Sequence, residues 1–120
     1  MAAVNVAKRS PAFLQLVLDH LRAVRGVRSR AMFGGHGIYC DDVFFGIVSN
    51  ERLFLRTDDT TRPRYEELGM APFRPTERQL LRRYFEVPVG VVESPRRLEE
   101  WARESIRAAV AARSGKRGTA

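Results

Sequence analysis

The sequence predicts an α+β domain in which an antiparallel β-meander sheet packs against N-terminal, middle and C-terminal helices. Three observations point to it. Apolar residues recur at three- and four-residue spacing over residues 13–24 and again over 98–110, as on helices with one buried face. Over residues 27–56 the apolar period falls to two, as on strands. The breaks in that stretch are glycines, Asp41-Asp42 and Ser49-Asn50-Glu51, so short that neighbouring strands must run antiparallel.

Residues 1–9 read as a flexible leader. Ser10-Pro11 then offers a capping hydroxyl and a proline suited to a first helical turn. Phe13, Leu14, Val17, Leu18, Leu21 and Val24 form the packed face of the helix, which Gly26 ends. Strands are expected at 28–33, 37–40, 43–48 and 52–56. The run "VFFGIVS" is apolar on both faces, so it belongs at the centre of the sheet, covered by helices on one side and by a partner or loop on the other.

Next, "TTRPRYEELG" reads as a short helix with Pro63 in its first turn and Gly69 as its stop. "MAPFRPT" holds two prolines and must be a loop or a sheet edge. "QLLRRYFEVP" fits both a helical stripe and strand alternation, and the following Val87-Pro88-Val89-Gly90-Val91 favours the strand. Ser94-Pro95 repeats the cap-plus-proline start. Leu98, Trp101, Ala102, Ser105, Ile106, Ala109 and Val110 supply the packed face of the last helix. The domain therefore spans 10–112, followed by a basic flexible tail at 113–120.

A chain of 120 residues with 44% hydrophobic and 29% charged residues suits one globular domain. No apolar run approaches the ~20 residues of a membrane span. Asn5, Lys8 and Arg9 interrupt the start, as no secretory signal allows. With one cysteine, Cys40, no internal disulfide forms, and a cytoplasmic, reducing setting is expected. The formal net charge is +7, and all but two of the 21 basic residues are arginine. Such a surplus favours nucleic acid or acidic protein surfaces, although genomic nucleotide composition also enriches arginine.

The stretch "RAMFGGHGIYCDD" raises a choice between chemistry and packing. A dinucleotide or phosphate loop needs G-x-G-x-x-G or G-x-x-x-x-G-K-[ST] ahead of a helix. "GGHG" has neither and leads into a strand, so a tight turn or bulge is the better reading. His36 and Cys40 invite a nucleophile and its base, yet four residues along a strand separate them by about 13 Å. Two histidines, His20 and His36, and one cysteine match no metal-ligand spacing. The adjacent acidic pairs suit turns and caps. No catalytic, cofactor or metal residue is therefore assigned. Arg28 and Arg30 share one face of a strand and, with Arg82, Arg83 and the tail, are the residues expected to meet nucleic acid or a partner; a solvated, aggregation-resistant sheet edge is the plainer reading.

Taken together, "RAMFGGHGIY", "VFFGIVSNERLFLRTDD", "RPRYEELG", Pro72-Phe73, "YFEVP" and "LEEWARESIRAA" resemble the TfoX N-terminal domain of the TfoX/Sxy family, over about Phe13 to Ala112. The resemblance implies a stand-alone domain with helices on an antiparallel sheet, and it makes residues 80–87 a strand. It also implies competence or transcription regulation without catalysis, and a structural centre at Met32, Phe33, Gly34, Gly35 and Gly37. The function expected is a non-enzymatic regulatory or adaptor domain that binds a protein partner. Direct, weakly specific nucleic-acid binding is the alternative, and a small enzyme using His36 and Cys40 stands third. A homodimer is compatible with the apolar strand at 43–48; no cofactor and no membrane contact are expected.

Overall fold

The computed structural model describes residues 12–32 and 34–118, with side chains as far as Ser114. The leader, the Ser10-Pro11 cap and Phe33 lie outside the described residues. Helix α1 covers residues 12–20 and turns through Gly26 into β1 (Val27–Met32), β2 (Gly35–Cys40), β3 (Val43–Ser49) and β4 (Arg52–Arg56). Then come α2 (Arg62–Glu67), β5 (Pro72–Thr76), β6 (Gln79–Glu86), α3 (Val89–Val92) and α4 (Pro95–Gly118).

The strands form one six-stranded sheet of order β1-β2-β3-β4-β6-β5, antiparallel at every pairing. The meander holds through β4, after which β6 pairs with β4 and leaves β5 outside. Pro72 and Pro75 are tolerated there because an edge strand has one side without a ladder. The stretch after β6 departs from the expected strand. Pro88, extended at ψ 144°, opens the helical turn α3, in which Val91 N–H bonds the Pro88 carbonyl at 2.9 Å.

Ahead of α2, Asp58 accepts N–H bonds from Thr60 and Thr61, both at 2.9 Å, and the Thr61 hydroxyl accepts the Asp58 N–H at 3.0 Å. This reciprocal cap starts the turn, and those bonds hold the Asp58 carboxyl below its usual range. At α4, Ser94 Oγ accepts the Arg97 N–H at 3.3 Å. α4 runs past the expected end at Ala112 to Gly118, since no proline stops it. Its buried face includes Ala108, whereas Val110 stays 43% exposed.

One face of the sheet packs on the helices. Val17, Leu21, Ile38, Phe45, Val48, Leu53, Leu55, Phe85, Leu98 and Ala102 form the main core there. At its margin Arg64 of α2 lies 4.0 Å above the Trp101 ring and donates to Glu104 through both terminal nitrogens. Tyr65 meets Trp101 edge-on at 4.9 Å, and burial raises its hydroxyl well above the ordinary tyrosine range.

The other face differs from expectation. Ile47 is buried beneath Phe54, Phe73 and Tyr84, with Phe44 and Leu81 packed against them. Phe73 on β5 reaches Phe54 on β4, with ring centroids 4.7 Å apart, although β6 lies between the two strands. The sheet curls over itself there, so its own aromatics fill the place assigned to a partner or loop.

A bulge interrupts the pairing of β2 with β3. Tyr39 faces Phe44 and Ile38 faces Gly46, so Phe45 has no cross-strand partner. The Phe45 carbonyl instead accepts the buried Ser105 hydroxyl of α4 at 2.9 Å. Glycine is required nearby for close approach. A Cβ on Gly35 would lie 2.2 Å from the Val48 carbonyl oxygen, and one on Gly37 would lie 2.1 Å from Met32 Sδ.

Gly35→Ala must displace backbone and should cost about 2 kcal/mol or more, while Gly37→Ala displaces the end of a flexible side chain and should cost about 1 kcal/mol or less. Ser105→Ala leaves a buried carbonyl unpaired and should cost about 1–2 kcal/mol. Urea unfolding of the three variants against the parent chain checks the ranking.

Candidate functional site

The sheet ends in two edges of different character. β5 carries two prolines and an irregular register against β6. β1 carries neither: its pairing with β2 runs without a break from Val27↔Cys40 to Met32↔Gly35. Among the described residues β2 is its only strand partner.

Side chains alternate along β1. Val27 packs against the main core, whereas Arg28 and Arg30 stand exposed on the opposite, outer face. Neither forms an ion pair with a described residue. The Arg30 guanidinium lies 5.9 Å from the centre of the Tyr39 ring, within cation–π range. From there a line of rings crosses the outer face, Tyr39 to Phe44 and Phe44 to Tyr84, each step 5.2 Å. It ends where Arg56 sits 5.8 Å from the Tyr84 ring. Burial raises the Tyr84 hydroxyl above the usual range, with Arg56 opposing the shift.

The four arginines expected to meet nucleic acid or a partner do not lie together. Three strands separate β1 from β6, which places Arg28 and Arg30 about 19 Å from Arg82 and Arg83 at ~4.8 Å per strand. Arg82 and Arg83 line an open groove with Arg62, Met70, Leu80 and Ala111 instead. The Arg83 carbonyl accepts both the N–H and the hydroxyl of Thr57. Tyr39, Phe44, Arg56 and Tyr84 were not singled out from the sequence. The Tyr39–Phe44 contact follows from the two-residue Asp41-Asp42 turn, whereas Arg56–Tyr84 needs the non-sequential pairing of β4 with β6.

The glycine-rich stretch is a hairpin. Gly34, at φ +73°, turns β1 into β2, and Met32 lies over Gly37 with the Tyr39 hydroxyl 3.9 Å from its sulfur. β2 stays extended, which keeps His36 and Cys40 about 13 Å apart. Cys40 donates its thiol proton to the Arg25 carbonyl at 3.3 Å. Burial, then the charge of Asp41, pushes that thiol up from its ordinary range. His20 is half-buried, and its Nδ1–H donates to the Val92 carbonyl of α3 at 2.9 Å. Among the described residues no three His, Cys, Asp or Glu side chains gather to hold a metal ion, and no helix is long and apolar enough to cross a membrane.

The sequence pattern of the TfoX N-terminal domain matches residues 19–109. The DNA transformation protein TfoX1 of Aliivibrio fischeri is 30% identical over 79 residues, which cover 64% of this chain and 38% of that relative. The chain thus spans well under two thirds of the relative's length. It belongs to the TfoX N-terminal domain family.

Because the Cys40 thiol is raised, its thiolate is scarce at neutral pH and grows only as pH climbs beyond the normal thiol range. Alkylation by iodoacetamide should therefore be slower at pH 7 than for a free cysteine peptide, and its pH midpoint should lie higher than the peptide's. A midpoint below that of the peptide contradicts the environment described.

Proposed function

We propose that this TfoX N-terminal domain is a non-enzymatic regulatory adaptor, acting in the control of DNA transformation or transcription by holding a protein partner. The observation that carries this reading is the β1 edge, which among the described residues pairs with β2 alone and presents two exposed arginines without an ion-pair partner. The name of the Aliivibrio fischeri relative supports the process, and the separation of His36 from Cys40 supports binding over catalysis. A cytoplasmic setting is part of the proposal and agrees with a single, protonated cysteine.

Direct nucleic-acid binding is the second reading, favoured by one observation: the line of rings with an arginine at each end. Stacking rings and cations suit single strands. Tyr84 is 6% exposed and both Tyr39 and Phe44 are half-buried, so of the rings and cations near the edge only the arginines of β1 are exposed, which leaves this reading second.

Deleting the gene in its own host should change DNA uptake frequency or the transcript pattern of uptake genes. The parent chain and a Cys40→Ala/His36→Ala double variant should both restore it, and Arg28→Glu/Arg30→Glu should not. No effect of the deletion, or loss of rescue in the Cys40→Ala/His36→Ala variant despite a native circular-dichroism spectrum, contradicts the proposal. For the second reading, anisotropy of labelled DNA should show affinity falling about 10-fold between 50 and 200 mM salt if Arg28 and Arg30 neutralise two phosphates. No measurable binding removes that reading.

A further inference from the structure

We infer that the edge of β1, which no other described strand pairs with, is a strand-addition site for an extended segment of a protein partner that carries Asp or Glu at alternate positions. The inference rests on the adaptor reading and names the chemistry of the partner.

The backbone supplies the first part. Asp41 N–H bonds the Gly26 carbonyl at 2.8 Å, so this pair, just beyond Val27↔Cys40, is a hydrogen-bonded one. Hydrogen-bonded and open pairs alternate along an antiparallel ladder, which makes Arg28↔Tyr39, Arg30↔Gly37 and Met32↔Gly35 the bonded pairs. Val27, Ser29 and Ala31 therefore turn their N–H and C=O groups to the open side. No other described element bonds these groups. An extended chain can take them up in the same ladder geometry.

Charge selects the occupant. In an added antiparallel strand, residues opposite Arg28 and Arg30 are two apart and share the outer face, with Cβ atoms about 5 Å from those of the arginines. Carboxylates at those two positions meet two exposed guanidinium groups that have no ion-pair partner among the described residues. Asp41 and Asp42 stand with Val27 and Arg28 around a shallow cleft, and Arg113 reaches Asp42 at 3.4 Å. Their charge disfavours a third acid at the Val27 end, which confines the acidic pair to the two arginines. On the other face Val27, Ser29 and Ala31 are small and accept small or β-branched neighbours.

A second copy of this chain fits worse. Antiparallel pairing of β1 with its own copy about Ser29 sets Arg28 across from Arg30 twice over, and like charges directly opposite destabilise a strand pair. The β5 edge is missing the N–H groups of Pro72 and Pro75 and has an irregular register, so it offers a less regular ladder for addition.

The test uses the full chain labelled with nitrogen-15 and the peptide acetyl-Val-Glu-Thr-Glu-Val-Thr-amide. Amide shifts should change and hydrogen exchange should slow at least tenfold at Val27, Ser29 and Ala31. A peptide with lysine in place of glutamate should bind at least tenfold more weakly, and Arg28→Glu/Arg30→Glu should reverse that preference. Ser29→Pro removes one outward N–H without touching the β2 ladder and should abolish binding; should it not fold, the parent chain with a peptide N-methylated at alternate residues makes the same measurement. Equal binding of the N-methylated peptide, shifts confined to the Arg82-Arg83 groove, exchange protection of β1 from self-association alone, or displacement of the peptide by oligothymidylate each overturns the inference. A deletion phenotype without peptide binding at β1 leaves the adaptor reading standing, and binding without a phenotype does the reverse.

Discussion

The hydrogen bond from Ser105 to the Phe45 carbonyl ties together the parts of this fold that depend on one another. A bulge leaves Phe45 outside the ladders on both sides of β3, and a buried carbonyl without a donor costs about 1–3 kcal/mol. Ser105 supplies that donor from α4, and in doing so fixes the rotation and height of α4 over the sheet. Trp101, one turn earlier, then falls where Arg64 stacks on it, and Ala109, one turn later, falls in the core. α1 is held to the same helix layer through His20 and Val92, and through Arg103 donating to the Ala23 carbonyl at 3.4 Å. Bulges also increase strand twist. At the far side of the sheet the irregular register of β5 against β6 accompanies the contact of Phe73 with Phe54.

Arginine serves two physical ends in this chain. Arg64 acts as a packing element: its plane covers the Trp101 ring while its fork grips Glu104, a combination lysine cannot reproduce. Several others sit beside carboxylates on the surface, among them Arg62 with Asp59 and Arg103 with Glu99, where exposure keeps each contribution near a few tenths of a kcal/mol. Arg28 and Arg30 belong to neither group. Neither meets a carboxylate among the described residues, and they share that state with other exposed arginines such as Arg82 and Arg83; what sets them apart is their place on an edge strand.

The elements were legible where the signal is local. Period-two alternation and two-residue turns placed β1 to β4 within a few residues, and cap-plus-proline at Ser94-Pro95 placed the start of α4. "QLLRRYFEVP" was ambiguous because Leu81 and Phe85 fit both a helical stripe with Leu80 and Tyr84 and an alternation with Arg83 and Val87; the segment after it favoured the strand and the family resemblance settled it. The cover over Ile47 was not legible, since it depends on β6 inserting between β4 and β5 and on the curl that follows. The same non-sequential pairing hid Arg56 with Tyr84 and separated Arg82 and Arg83 from Arg28 and Arg30. For Gly37 the turn chemistry was readable, but its deeper requirement is the room that Met32 and Phe44 take above it.

The two edges show why the protection chosen for a strand bears on what it can do. An exposed edge invites pairing with any extended chain, and proline blocks it by removing the donor. That is the solution at β5, and it is permanent for every partner alike. Charge works differently: at β1 the arginines repel a second copy of the same strand while leaving Val27, Ser29 and Ala31 with all their donors and acceptors. Repulsion of one class of neighbour is attraction for the class of opposite sign, so the device that keeps the edge from pairing with itself also sets what it can accept. A domain that needed only solubility could carry proline at both edges. This one keeps hydrogen-bonding capacity at an edge that also carries two exposed arginines, and an adaptor needs both at the same location.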